Sequence, residues 1–149
     1  PYDNSCFRAY GEPAGGAAYQ MLSRTARELG LWLVGGSLPE LEAGRVYNTS
    51  FVFDPQGVCV ARHRKMHLFD IDVEGGQRFR ESDTLSPGND VTLFDTPWGR
   101  MGLCICFDLR FEVPRHGAGG RAGAAGAGGL QHDHRLRPLG AAAAAAGGG

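Results

Sequence analysis

The sequence predicts an α/β fold for its first 115 residues. Residues 17–29 carry apolar side chains at the spacing of one helix face. A short apolar run at 31–34 follows directly, as a buried strand follows a helix in an α/β unit. Farther along, two pairs of apolar segments each enclose a turn sequence, a pattern typical of β-hairpins.

The predicted helix has an apolar face and a defined end. Its apolar face consists of Ala18, Met21, Leu22, Thr25, Ala26 and Leu29. Gly30 follows the last of these and can adopt the positive φ that ends many helices. Gly35 and Gly36 then interrupt the apolar run 31–34, so we expect the first strand to end there.

Two hairpins are predicted downstream of this strand. Residues 48–53 and 58–64 flank the sequence DPQG at 54–57, where Asp before Pro and Gly at the fourth position suit a type I turn. Residues 91–95 and 99–106 flank the second turn. Within the segment 99–106, residues 101–106 are apolar on both faces, which predicts a central strand of a sheet covered on both sides.

Two further stretches lack a regular pattern. Residues 66–90 have no clear periodicity, and we expect a long, partly ordered loop there. Residues 116–149, beyond Arg115, are rich in Gly and Ala and contain almost no large apolar side chain. Such a segment buries too little surface to offset its ordering entropy. We therefore expect one domain over 1–115 and a disordered tail over 116–149.

The overall composition excludes several classes of protein. The formal net charge of −1, from 15 basic and 16 acidic residues, gives no reason to expect nucleic-acid or anionic-membrane binding. No apolar run approaches the roughly 20 residues of a membrane span, and no secretory signal pattern is present. The four cysteines of the 149-residue chain are too few for a disulfide scaffold. They favour a reducing compartment, the cytoplasm, with the mitochondrion as the alternative.

Cys106 is the first candidate for chemistry. It lies where an apolar strand meets polar chain, so its thiol can be exposed while the amides that follow form an oxyanion hole. An ordinary core cysteine is the alternative. Cys104, two residues earlier, could suggest a metal pair, but a closed zinc site needs four ligands. No second Cys/His pair lies at ligand spacing before the tail, so we expect no metal or cofactor.

Three charged residues are further candidates. Lys65 ends the segment 58–64, where it could stabilise a thiolate and an oxyanion or simply be a solvated strand end. Glu81 lies in the long loop, with a surface carboxylate as the alternative. Glu40 follows Pro39, with a turn residue as the alternative.

Three segments together resemble the nitrilase superfamily of carbon–nitrogen hydrolases, and its omega-amidase branch in particular. They are YNTSFVFDPQGVCVARHRKMHLFDID (47–72), FRESDTLSPG (79–88) and GRMGLCICFDLRF (99–111). The resemblance implies an α-β-β-α sandwich, incomplete in this chain, with a Glu–Lys–Cys triad. By motif, Cys106 is the nucleophile, Lys65 the triad lysine and Glu81 the accessory glutamate in the loop after it.

The resemblance also implies a reaction and a substrate class. The thiolate would attack the terminal amide of a small dicarboxylic monoamide such as 2-oxoglutaramate, release ammonia and leave a thioester that water hydrolyses. No cofactor is implied, and the family member is expected to form a homodimer. Deaminated glutathione and carbamoyl amines are the alternative substrates of neighbouring branches, although the run LFDID (68–72) favours omega-amidase.

The chain departs from the family pattern at both ends. The family's general-base glutamate follows a Pro, a few residues before Ser-Pro-Tyr, and this chain opens on Pro1-Tyr2, so we expect that position upstream. Glu40 also follows a Pro, but its segment matches the family stretch that precedes Tyr47, so Glu40 is not assigned as the base. We therefore expect the chain to be a truncated fragment that is inactive in its given form. A non-catalytic remnant of such an enzyme is the second hypothesis for its function.

We predict that the tail is a frameshift product. The family continues beyond the nucleophile into Phe-Asn-(Met/Leu)-Thr-Thr-Gly and then Trp-Glu-Leu-Leu-Gln. Residues 130–134 (LQHDH), and the stretch beginning LG at 139, can each be encoded so that a one-base shift gives these strings. Sequencing the transcript tests this, and codons for 130–134 that cannot yield Phe-Asn-Met-Thr-Thr in a shifted frame would rule it out.

Overall fold

The computed structural model describes residues 5–72, 74, 76 and 78–111, so the expectations for the tail 116–149 lie outside the described residues. The helices and strands are α1 Ser5–Ala9, α2 Ala17–Leu29, β1 Leu33–Glu42, β2 Arg45–Phe53, β3 Cys59–Arg64, β4 Asp70–Asp72, β5 Arg78–Arg80, β6 Thr92–Thr96 and β7 Gly99–Leu103. Two short 3-10 helices cover Glu81–Asp83 and Cys106–Arg110. In this part of the chain no helix has the length and apolar character needed to cross a membrane.

Helix α2 matches the predicted bounds, and Leu22 and Ala26 of its predicted apolar face pack on the sheet, whereas Met21 and Leu29 of that face are exposed. Gly30 ends it with φ 61° and donates its backbone N–H to carbonyls of the last turn. Ala26 is fully buried and forms the core with Phe51 and Phe53 of β2. Tyr19 meets both rings edge-on, with centroid distances of 5.1 and 5.0 Å, a geometry that aromatic pairs prefer.

Strands β1, β2 and β3 form an antiparallel sheet in that order. The prediction that the first strand ends at Gly35-Gly36 is wrong, because β1 continues to Glu42 through a register shift between Gly35 and Leu38. Helix α2 explains one of these glycines. A Cβ at Gly35 would lie 2.6 Å from Leu22 Cδ1, so the glycine lets the helix approach the strand.

The β2–β3 hairpin confirms the prediction and fixes which side chains share a face. Asp54 Oδ1 accepts the N–H groups of Gln56 and Val58, which closes the turn. Thr49 lies opposite Arg64 in the ladder. Because successive residues point to opposite faces, the next residue of each strand lies on the other face.

The remaining strands are short pairs. Strands β4 and β5 form a small hairpin inside the stretch 66–90, which is therefore more regular than the predicted loop. Strands β6 and β7 pair as expected. However, β7 ends at Leu103, its residues are half-buried or exposed, and among the described residues it pairs with β6 alone, so the predicted central strand 99–106 is wrong. The chain leaves the ladder because a 3-10 helix begins at Cys106.

Candidate active site

Lys65 and Glu81 form a buried ion pair. Lys65 follows β3 and is 1% exposed, and Glu81 begins a 3-10 helix and is 3% exposed. Lys65 Nζ lies 2.6 Å from Glu81 Oε2. The alternatives of a solvated strand end for Lys65 and a surface carboxylate for Glu81 are therefore wrong. A buried charge is costly unless it is paired, so each member of the pair requires the other.

The backbone holds Glu81 from the side of residues 65–69, hereafter the lysine loop. The N–H of Phe69 donates to Glu81 Oε2 at 2.9 Å. The N–H of Glu81 in turn donates to the carbonyl of Phe69 at 3.2 Å. Two hydrogen bonds to one loop residue fix both the backbone and the carboxylate of Glu81.

The backbone of Lys65 is clamped from both sides. Its N–H donates to the Asn48 carbonyl at 2.8 Å, which extends the β2–β3 ladder by one residue. The N–H of Gly88 donates to the Lys65 carbonyl at 2.9 Å. A Cβ on Gly88 would lie 2.4 Å from the carbonyl oxygen of Arg64, so only glycine permits this approach. The lysine is thus presented from a rigid position.

Cys106 is exposed and has an unusual backbone conformation. It begins the 3-10 helix Cys106–Arg110 with a φ of 50°, in the left-handed region that non-glycine residues rarely occupy. Such a conformation costs roughly 1–3 kcal/mol and is found where the surrounding structure enforces it, as at nucleophile turns. The alternative of an ordinary core cysteine does not fit an exposed thiol on such a turn.

Asp108, two residues after Cys106, connects this turn to the lysine loop. It is 7% exposed. Its carboxylate accepts hydrogen bonds of 2.8 to 3.1 Å from the backbone N–H groups of Ile105, Met66 and His67 and from the rings of His63 and His67. Burial alone would raise the pKa of Asp108, but these donors lower it to about 2. The carboxylate is therefore ionised at neutral pH.

Aromatic contacts reinforce the same connection. Phe107, directly after Cys106, meets Phe69 of the lysine loop edge-on at 5.1 Å. Phe111 stacks on His67 at 3.8 Å and meets Phe107 edge-on at 5.3 Å. The Cys106 turn and the lysine loop are thus joined by both polar and apolar contacts.

Cys104 differs from Cys106 in burial and charge environment. Burial, and then the nearby Asp108 carboxylate, raise the pKa of the Cys104 thiol. Because the thiolate is the reactive form, Cys104 is the less suitable nucleophile. Within the described ranges, no three His, Cys, Asp or Glu side chains are grouped to hold a metal ion.

Glu40 lies on the opposite face of the sheet from Lys65. It is 2% exposed, within β1, and accepts hydrogen bonds from Thr49, Arg62 and Arg64 at 2.7 to 3.0 Å. The alternative that Glu40 is a turn residue is therefore wrong. Burial would raise its pKa, but the bonds from Arg64 and Thr49 and the arginine charges lower it. The glutamate is an ion-pair partner and is separated from Lys65 by the sheet.

Sequence patterns alone did not single out Asp108, His63 or His67 as site residues. Two signals were available. Asp108 is an acid two residues beyond the candidate nucleophile, and His63 shares a strand face with Lys65 because the two are separated by one residue. Apart from Ile105, the partners of Asp108 lie 41 to 45 residues away along the chain, and no local pattern connects them.

We predict that Asp108→Asn lowers the free energy of unfolding by about 2 kcal/mol at pH 7. The value follows from a pKa held at about 2 instead of 3.8, at about 1.4 kcal/mol per unit. Because the folded-state pKa is the lower one, the carboxylate stabilises the fold above pH 3.8 and loses this effect as the pH falls toward 2. Urea unfolding from pH 7 down to pH 3 measures it.

The matched control for this change is Asp95→Asn. Asp95 forms an exposed ion pair with Arg100, and exposed pairs contribute little. We expect the loss of unfolding free energy in Asp108→Asn to shrink on acidification, while the unfolding free energy of Asp95→Asn stays close to that of the parent chain. A deficit of equal size at pH 3 and pH 7 would contradict the proposed ionisation.

Comparison with known proteins places this geometry in a family. Residues 1–119 match the family described as carbon-nitrogen hydrolase. The chain is 50% identical over 111 residues to omega-amidase NIT2 of Danio rerio, and 51% identical over 111 residues to omega-amidase NIT2 of Homo sapiens. These alignments cover 74% of this chain and 40% of each relative, so the chain spans about 40% of their length.

Solved structures agree with the fold. Nit3 of Saccharomyces cerevisiae, a member of branch 10 of the nitrilase superfamily, aligns with a TM-score of 0.63 and 39% identity over 74% of this chain and 40% of that one. A carbon-nitrogen hydrolase of Helicobacter pylori aligns with a TM-score of 0.61 and 28% identity, over 74% of this chain and 38% of that one. The α/β fold of the nitrilase type is confirmed, and its sandwich is incomplete in this chain. The chain belongs to the carbon–nitrogen hydrolase family.

Proposed function

We propose that this chain carries the nucleophile and its charged partners of an omega-amidase-like hydrolase. Cys106 is the nucleophile, the Lys65 ammonium stabilises negative charge, and Glu81 orients that ammonium. The observation that carries the proposal is the connection through Asp108, which ties the strained Cys106 turn to the loop that follows Lys65. A strained, exposed thiol on a turn that is hydrogen-bonded to the loop after a buried cation suits nucleophilic attack on a carbonyl.

The proposed reaction has two halves. In the first, the thiolate of Cys106 bonds to the amide carbon, the C–N bond breaks, and ammonia leaves with the proton that a base took from the thiol. In the second, water adds to the thioester, the C–S bond breaks, and a carboxylic acid and the thiol are formed. The backbone N–H after Cys106 and the Lys65 ammonium would stabilise the oxyanion in both halves.

The substrate that we propose is the terminal amide of a small dicarboxylic monoamide such as 2-oxoglutaramate. Support comes from the identity of about 50% to omega-amidases. The alternative that we retain is the chemistry of a neighbouring nitrilase branch, with deaminated glutathione or carbamoyl amines as substrates. We further propose a homodimer in the cytoplasm, with the mitochondrion as the alternative compartment.

A general base is the missing part of this proposal. The two buried glutamates of the described chain are both engaged, Glu81 with Lys65 and Glu40 with arginines on the other sheet face. We therefore propose that the 149-residue chain by itself turns over slowly or not at all. The inactive remnant remains the second candidate function for the chain as written.

We predict that Lys65→Met slows alkylation of Cys106 by iodoacetamide at pH 7.5 by about tenfold, because the thiolate loses the cation that we propose stabilises it. Peptide mass spectrometry locates and times the modification. Cys6, which is also exposed, is the internal control and should react at an unchanged rate. Lys65→Arg retains the positive charge and should slow the alkylation of Cys106 less than Lys65→Met does. A Cys106 rate that is unaffected by Lys65→Met would overturn the role assigned to the lysine.

We also predict that 2-oxoglutaramate leaves an acyl adduct on Cys106, with the mass of the substrate minus ammonia, because a thiol that is already ionised attacks without a base whereas water requires one. Intact-protein mass spectrometry after acid quenching detects it, and a coupled ammonia assay should show at most about one equivalent per chain before release stops. The adduct should vanish in Cys106→Ala and persist in the control Cys6→Ala. Steady ammonia release that survives Cys106→Ala, or an adduct on another cysteine, would contradict the mechanism.

A further inference from the structure

The face of the sheet that carries Lys65 also carries Asn48. Thr49 lies opposite Arg64 in the β2–β3 register, and Lys65 donates its backbone N–H to the Asn48 carbonyl. Asn48 and Lys65 are therefore the next directly opposed pair. Opposed residues point to the same face, with Cβ atoms typically about 4.5–5.5 Å apart.

Asn48 has an unused acceptor on this face. The residue is 3% exposed, and its Oδ1 atom has no hydrogen-bond partner among the residues that the structure describes. Buried polar atoms are nearly always paired, because an unpaired one retains the full cost of leaving water. The neighbouring side chains of the strand do not share this property, since Thr49 donates to Glu40 and Ser50 donates to the Gly35 carbonyl.

Lys65 has the complementary surplus of donors. Its ammonium carries three N–H groups and is 1% exposed, and in the described chain Glu81 Oε2 is its side-chain acceptor. A lysine has four rotatable side-chain bonds, so its ammonium can move between acceptors on either side. An unpaired acceptor and unused donors thus lie across one strand pair, at the cation of the proposed site.

We propose that Asn48 is a positioning residue for Lys65. Its side-chain carbonyl, unpaired while the ammonium bonds Glu81, accepts one N–H when another turns from Glu81 toward negative charge at Cys106. The inference rests on the proposed role of Lys65 and deepens it. Asn48 acts through the lysine and touches neither the thiol nor the substrate.

The test is the alkylation rate of Cys106 in the full chain, with stability measured in parallel by urea unfolding. Asn48→Leu removes the acceptor at nearly constant volume and should slow alkylation by about threefold to tenfold. It should leave the unfolding midpoint unchanged or raised, because it removes a buried unpaired group. Asn48→Asp retains an acceptor oxygen and should restore the rate to within about threefold of the parent.

Two comparisons separate positioning from a general structural effect. Thr49→Val is the matched control, because it removes a buried hydrogen bond on the same strand but on the opposite face. It should lower the unfolding midpoint and leave the alkylation rate unchanged. In a Lys65→Met background, Asn48→Leu should cause no further slowing, since residues that act through each other are not additive.

The outcomes distinguish this inference from the proposed function. If Lys65→Met slows alkylation but Asn48→Leu does not, the role of Asn48 is wrong and the proposed function stands. If Asn48→Leu slows alkylation equally in the parent and Lys65→Met backgrounds, Asn48 does not act through the lysine, and the inference is again wrong. If neither substitution changes the rate, the role of Lys65 itself fails.

Discussion

The carboxylate of Asp108 is the interaction on which the rest of the site depends. It accepts hydrogen bonds from the Cys106 turn, from β3 through His63 and from the lysine loop. Two parts of the chain that are distant in sequence, residues 63–67 and residues 105–108, therefore share one acceptor. Without it, the strained backbone of Cys106 and the buried lysine would lose the hydrogen bonds that join their elements.

The energies involved explain why such an anchor is needed. The positive φ of Cys106 costs roughly 1–3 kcal/mol, and a carboxylate held at a pKa of about 2 contributes about 2 kcal/mol at neutral pH. The two terms are of similar size, so the anchor can maintain the strain. The Lys65–Glu81 pair adds little, because a buried ion pair rarely gains more than its desolvation costs. This small net contribution agrees with the chemical role that we propose for the pair.

Local patterns predicted the local parts of this molecule. Helix α2 and the β2–β3 hairpin follow from apolar spacing and turn residues within about 17 positions, and both were predicted with nearly the observed bounds. Motif resemblance identified Cys106, Lys65 and Glu81. The length of β1 was mispredicted because Gly35 makes room for Leu22 of the helix, which is a tertiary contact. The strand predicted for 99–106 failed because Asp108, which is held by long-range hydrogen bonds to residues 63–67, also accepts the Ile105 N–H where the chain turns.

The register of β2 against β3 decides which glutamate meets the lysine. Arg64 and Lys65 are adjacent cations on opposite faces, and each has its own buried glutamate: Glu40 on one face and Glu81 on the other. A slip of one residue would exchange the faces of the two cations. Arginine, a permanent charge with several donors, binds Glu40 and Glu42 in a fixed network, which keeps its pKa high. Lysine, a compact cation on a flexible stem, lies on the face from which His63 bonds Asp108, so the pleat of two strands separates a structural charge cluster from the cation that we propose for chemistry.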